Sequence, residues 1–143
     1  MKRFDDIVEV NDHVSDLFLR SERVLQGVTM SSDESSDISF EYFKGIDARV
    51  GTITQVDRVP RTEKLYRILV DLGSLGIRQT VSSLVGYYEP NELVGKRIVF
   101  LLNLKSTKFA GEVSQGMLLA AEYHQRLALL TTDREIPNGA RIT

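Results

Sequence analysis

IDARVGTI, residues 46–53, decides how this chain folds. Ile46, Ala48 and Val50 share one parity, Gly51 interrupts, and Ile53 falls on the other. A strand whose apolar face changes side at a glycine bulges there and bends from one sheet into another. Small closed barrels need such a strand. Downstream, Tyr66, Ile68, Val70 and Leu72 alternate with Arg67 and Asp71, and Ile77 and Val81 alternate with Arg78, Thr80 and Ser82. Gly73 and Gly76 bracket the turn between these strands. In GYYEPNELVG, residues 86–95, Pro90 suits a first helical position and Gly95 the residue past the end, which predicts one short helix. Continuous apolar runs follow at Ile98 to Leu102 and Met117 to Ala121, separated by a long polar loop from Asn103 to Gln115. Three strands, a short helix and two strands is the order of an all-β OB-fold, a five-stranded Greek-key barrel. Leu127 to Leu130 and Glu135 to Ile142 leave room for further strands or an association surface.

Upstream the pattern changes. Phe4, Ile7, Val8, Val14, Leu17, Phe18, Val24 and Leu25 recur at intervals of three and four with one gap, as in an amphipathic helix or two short ones. Ser31 to Asp37, SSDESSD, has no bulky apolar group with which to offset its ordering cost and reads as a linker. The chain divides into a helical N-terminal extension (1–29), an acidic linker (30–39) and a barrel domain with a C-terminal association segment (40–143). Met30 offers a second start, so residues 1–29 are either a true extension or an upstream excess. The extension is expected to dock on the barrel, on a second copy or on a larger partner.

At 143 residues the chain fits one core with an appendage. It has no cysteine, which removes disulfides and thiolate metal sites and agrees with a reducing compartment. No run approaches the length of a membrane span and Met1 to Asp6 lacks a secretory apolar stretch, so a cytosolic protein without membrane contact is expected. Residues 1–39 hold four basic and nine acidic side chains, a net of −5, whereas residues 40–143 hold fourteen and eleven, a net of +3. The basic surplus lies on the barrel.

Catalytic constellations are missing. His13 and His124 stand apart, no phosphate-binding loop, dinucleotide fingerprint or nucleophile elbow occurs, and carboxylates such as Glu41 and Asp47 read as ordinary surface acids. Neither a metal nor any other cofactor is expected. Binding fits better, because OB barrels take oligonucleotides on the face of strands two and three, between the loops joining strands one to two and four to five. The first loop, DRVPRTEKL, carries Arg58, Arg61 and Lys64; the second, NLKSTKFAGEVSQ, carries Lys105 and Lys108; Arg67 and Arg78 lie between. Tyr66 and Phe109 offer faces for stacking a base, although Tyr66 shares the parity of core positions and loop lysines often serve only solubility.

From Phe43 to Ile142 the chain resembles the tRNA-binding domain found in methionyl-tRNA synthetases, stand-alone tRNA-binding proteins and the endothelial-monocyte-activating polypeptide family. The resemblance rests on IDARVGTI (46–53), VPRTEKLYRILVDLG (59–73), TVSSLVGYYEPNELVGKRIVFLLNLK (80–105), KFAGEVSQGMLLAAE (108–122) and IPNGARI (136–142), in that order. It implies that Ser82, Asn103, Lys105, Lys108, Ser114 and Met117 line an RNA-facing groove or hold its loop, with Met117 equally suited to the core. Gly111 and Gly116 would give that loop backbone freedom. The sequence departs from the family at Val59 (commonly His), Thr62 (Ala), Ser83 (Gly) and Ala110 (Arg). Without that Arg, weaker phosphate attraction is expected.

The resemblance implies a non-catalytic module that grips tRNA by shape and backbone, acts in trans with a methionyl-tRNA synthetase, and pairs as a homodimer through Tyr123 to Thr143. Two other readings stay open. A small secretion-related chaperone family shares the fold and dimeric form but binds unfolded peptides, and a structural adaptor of a synthetase complex would use the acidic extension as its contact.

Overall fold

The computed structural model describes residues 36–143. The extension and the first part of the acidic linker lie outside them. A short helix, α1 (Phe40–Lys44), opens the described chain, and the Ser39 hydroxyl caps it by accepting from the Tyr42 amide at 3.0 Å. The sequence reading has no helix here, because five residues are too few for a helical period to be recognised.

Five antiparallel strands then build the barrel: β1 (Ala48–Arg58), β2 (Tyr66–Asp71), β3 (Ile77–Ser82), β4 (Arg97–Leu101) and, after a hairpin, β7 (Met117–Leu118), ordered β3-β2-β1-β4-β7. β1 serves two partners. Its first half pairs with β4 and its second with β2, and Thr52 faces Arg97 on one side and Asp71 on the other. The expected change of parity occurs, since Ala48 and Val50 are buried on one side of Gly51 and Ile53 on the other. The extra ladder residue, however, is Thr54, between Ile53 and Gln55. Gly51 has a different role: a Cβ there would stand 2.6 Å from Val70 Cγ1 and 2.8 Å from Leu72 Cδ2, so its missing side chain lets β2 cross closely.

The barrel interior is packed by Ile53, Tyr66, Ile68, Val70, Leu72, Leu84, Leu93, Ile98, Phe100, Leu102 and Leu118. Leu93 comes from the predicted helix, α2 (Pro90–Leu93), which starts at Pro90 and is tightened by a bond from the Glu89 amide to Glu92 Oε1 at 2.7 Å. Gly95 follows with φ 90° and donates to the Ile53 carbonyl at 2.7 Å, fixing α2 across β1.

Three expectations need correction. The loop between β4 and the last barrel strand is not wholly irregular: it folds into a hairpin of β5 (Thr107–Phe109) and β6 (Glu112–Ser114). The apolar run from Met117 is also interrupted, with β7 ending at Leu118 and β8 (Ala120–Tyr123) pairing instead with β9 (Arg126–Leu129). Finally, β3 does not alternate simply. Ile77 is exposed, while Thr80, Val81 and Ser82 are all buried, because the β5–β6 hairpin covers the outer face of β3 where Val81 points.

The closing segment repairs the free edge of β1 where β2 no longer pairs. Gly139 donates to the Val50 carbonyl (2.7 Å), Val50 to Ala140 (2.9 Å) and Ile142 to Ala48 (2.9 Å). Asn138 Oδ1 accepts from the Thr52 hydroxyl at 2.8 Å. A covered edge cannot recruit a foreign strand.

Candidate nucleic-acid interface

The loop from Val59 to Leu65 turns sharply after β1. Pro60 occupies the second position of a turn in which the Thr62 amide reaches the Val59 carbonyl at 3.3 Å, and Arg61 takes the third with φ 65°. That position normally belongs to glycine. Arg58 holds the loop from inside, its guanidinium donating to the carbonyls of Thr62 (3.2 Å) and Glu63 (3.1 Å). Arg58, Arg61 and Lys64 are all exposed.

The β5–β6 hairpin approaches this loop from the other connection. Phe109 is fully buried against Val59 and Leu65 of the loop and Val81 of β3, with Met117 packed alongside. One apolar cluster thus fastens the two basic connections together. It leaves Lys105 and Lys108 exposed on the second connection, with no ion-pair partner among the described residues. The same packing removes both stacking candidates: Phe109 is the plug of this cluster, and Tyr66 lies in the barrel with its hydroxyl donating to the Tyr88 carbonyl at 2.9 Å. Each is buried because its strand position faces other apolar side chains.

Several named residues hold the site together: Ser82 and Ser114 are buried, whereas Asn103 is exposed but hydrogen-bonded across the chain. The Ser114 hydroxyl accepts from the Val81 amide and donates to the Gly116 carbonyl, each at 3.1 Å, so it ties β6 to β3. Asn103 is a staple across the chain: its Oδ1 accepts from the Asp47 amide at 2.9 Å and its Nδ2 donates to the Gly45 carbonyl at 2.6 Å. Ser82 is buried, and its hydroxyl has no hydrogen-bond partner among the described residues.

The two central arginines differ. Arg67 points outward between the connections but meets Asp57 at 3.0 Å and Glu112 at 3.8 Å, so its charge is already answered. A hydrogen bond from Gln55, and after it the Arg67 guanidinium, holds the Asp57 carboxyl below its usual range. Arg78 faces Val70 across the ladder, on the parity of buried Thr80, at the end of β3 away from the loop. The fold therefore does not bring Arg78 to the rim with the others.

Sequence reasoning missed two glutamines and one acid at the centre. Gln115 closes β3 against the segment after β6, Gln79 Nε2 donates to the Val113 carbonyl at 2.8 Å, and Glu112 adds negative charge beside Arg67. No local pattern marks them, since their partners are more than thirty residues away, as the 36-residue gap between Gln79 and Gln115 illustrates. Among the described residues no cluster of three His, Asp or Glu could hold a metal, and no helix is long and apolar enough to cross a membrane.

A family model described as "Putative tRNA binding domain" matches residues 48–141. The methionine–tRNA ligase of Methanococcus maripaludis is 48% identical over 112 residues, which covers 78% of this chain and 17% of the ligase. That of Thermotoga maritima is 43% identical over 112 residues, covering 78% of this chain and 18% of the ligase. The chain thus spans less than a fifth of the length of these relatives. Among solved structures, a MetRS-related protein from Pyrococcus horikoshii superposes with a TM-score of 0.70 at 34% identity, covering 75% of this chain and 98% of that one. The chaperone CsaA from Bacillus anthracis does so with a TM-score of 0.68 at 30% identity, covering 75% and 99%. With the match running from the first strand of the barrel to the segment that closes its edge, the chain belongs to the tRNA-binding domain family.

Proposed function

We propose that this chain is a non-catalytic module that holds tRNA through its sugar-phosphate backbone and acts in trans with a methionyl-tRNA synthetase. The observation that carries the reading is the Val59, Leu65, Val81 and Phe109 cluster, which joins the first basic connection to the hairpin that carries Lys108 in a tRNA-binding-family barrel. Arg61, Lys64, Lys105 and Lys108 meet phosphates; Arg58 shapes the first loop, and Asn103, Ser114 and Met117 hold the second. Phosphate contacts set register and shape without reading sequence, which suits a module that raises the local concentration of tRNA for an enzyme. A tRNA ligand places the action in the cytosol.

A homodimer formed through Tyr123 to Thr143 is part of the same proposal. Tyr123, Leu130 and Ile136 are exposed there, and pairing about a two-fold axis would present two basic rims to one tRNA.

The likeness to CsaA supports a second reading, an unfolded-peptide chaperone. Titrating labelled tRNA and a denatured peptide separately, at low and moderate salt, decides between them. The tRNA reading expects affinity that falls steeply with salt, and a Lys105→Ala/Lys108→Ala variant whose salt slope is smaller by about 1.5, at roughly 0.7 to 0.9 per lost phosphate contact. Unchanged tRNA affinity in that variant removes these lysines from the site. Tight peptide binding without tRNA binding establishes the chaperone instead.

A further inference from the structure

Across the outer face of the barrel runs a line of polar side chains that the basic connections do not use. Asp57 of β1 and Arg67 of β2 face each other in the ladder, and their ion pair closes at 3.0 Å. From the β5–β6 hairpin Glu112 approaches the same guanidinium, Oε1 to Nη1 at 3.8 Å. Each carboxylate has a second donor: Gln55 Nε2 reaches Asp57 Oδ2 at 2.7 Å, and Gln79 Nε2 reaches Glu112 Oε1 at 3.4 Å. Gln55, Asp57, Arg67, Glu112 and Gln79 thus run from β1 over β2 to the hairpin and β3.

The sign of this line is wrong for a polyanion. Two carboxylates answer one guanidinium, on the face of strands two and three where an OB barrel takes oligonucleotides. Asp57 stays ionised at neutral pH, since the Gln55 hydrogen bond and after it Arg67 hold its carboxyl below the usual range. The three charged side chains are partly exposed, and ion pairs in such surroundings exchange readily for water or another anion. The glutamines ease the exchange further. If Arg67 turns away, Asp57 keeps Gln55 and Glu112 keeps Gln79, so neither carboxylate is left without a donor. The released guanidinium then fits a phosphate with two parallel hydrogen bonds.

We propose that Arg67 is a phosphate ligand held in reserve, with Asp57 and Glu112 as built-in competitors of the tRNA backbone that keep the complex quick to release. This role rests on the tRNA reading and deepens it: a module that raises the local concentration of tRNA for an enzyme has to let go as well as hold. Asp57 opens the first basic connection, and Glu112 shares its hairpin with Lys108, so the competing acids belong to the same two segments as the cations they oppose.

The test compares four full-length proteins in tRNA titrations: wild type, Asp57→Asn/Glu112→Gln, Arg67→Gln, and the triple variant. If the acids act by occupying Arg67, their removal strengthens binding about five- to eightfold more with Arg67 present than in the Arg67→Gln background, the worth of one phosphate contact at roughly 0.1 M salt. Equal gains in both backgrounds would mean that the acids only repel the ligand from a distance, and overturn the proposal. Kinetics separate the two cases again, because a new contact slows dissociation whereas a changed long-range field speeds association. A gain carried wholly by the association rate therefore overturns it too. Glu112→Gln alone keeps an oxygen for Gln79 to donate to, and is the second variant should the double one lower the urea midpoint; it should give a smaller gain that again depends on Arg67. Lys105→Ala/Lys108→Ala in the same titrations tests the tRNA reading itself. Weakened binding there, with equal gains in the two Arg67 backgrounds, sinks the reserve ligand alone, and no tRNA binding by any of the proteins sinks both.

Discussion

Gln115 sits beside Gln79 as a strand partner would: its amide donates to the Gln79 carbonyl at 2.8 Å, and its side-chain Oε1 accepts from the Gln79 amide at 2.8 Å. A side chain thus completes the ladder where β3 meets the segment leading to β7, and the barrel closes without a longer strand. Gln115→Ala leaves the half-buried Gln79 amide without an acceptor. The expected loss is about 1 to 3 kcal/mol, the cost of an unsatisfied donor, read as a lower urea midpoint at unchanged slope. Gln115→Glu keeps the acceptor and should lose less; equal losses would mean that the acceptor is not what matters.

Arg61 separates binding from stability. Its φ of 65° suits glycine, so Arg61→Gly relieves backbone strain while loosening the unfolded chain, and the two effects nearly offset. Stability should hold or rise by up to about 1 kcal/mol, while tRNA affinity falls and the salt slope shrinks by roughly one contact. Thermal denaturation and a salt titration on one preparation check both. Unaltered affinity would show that Arg61 points away from the ligand.

Ala110 stands at φ 51° in the two-residue turn between β5 and β6, followed by Gly111 at φ 85°. Turns with two left-handed residues favour Asn-Gly, so Ala110→Asn should stabilise the hairpin by about 0.5 to 1 kcal/mol. Ala110→Arg should leave stability near wild type and steepen the salt dependence of tRNA binding by about one phosphate contact. An arginine that changes neither affinity nor slope would place the turn outside the interface.

Tyr66 links stability to alkaline pH. Burial, and after it the nearby Glu89 carboxylate, pushes its phenol above the ordinary value of 10.0. Below pH 10 the phenol is neutral in both states. Above it the unfolded chain ionises first, so the stabilisation is lost as pH rises from about 10 through the raised folded-state value. Tyr66→Phe forfeits the bond to the Tyr88 carbonyl, about 0.5 to 1.5 kcal/mol near neutral pH, and should show a shallower decline between pH 9.5 and 11.5, roughly the window set by free tyrosine. Parallel declines in the two proteins would show that other groups govern the alkaline limb.

The strand sequence and the short helix were legible because they depend on near neighbours. Alternation along Tyr66 to Leu72, Pro90 at a helix start and Gly95 at its end are local signals, and each maps onto β2 or α2. Phe109 and Tyr66 were less legible. Burial of an aromatic depends on what lies opposite it, and Phe109 meets Val59 and Val81 only after three separate segments have come together. Asn103 is the plainest case, a polar loop residue whose two partners precede it by 56 and 58 positions.

Period, turn chemistry and charge along the chain were enough to specify a small barrel with cationic connections, because backbone preference and alternation act over a few residues. Which cations remain available was settled by packing. Arg67 is answered by Asp57 and Glu112, Arg78 is carried to the far end of β3, Lys108 stays exposed on a hairpin anchored by Phe109, and Lys105 stays exposed on the segment before it. Such pairings join residues remote in the chain, and their energies exist only once the barrel has closed.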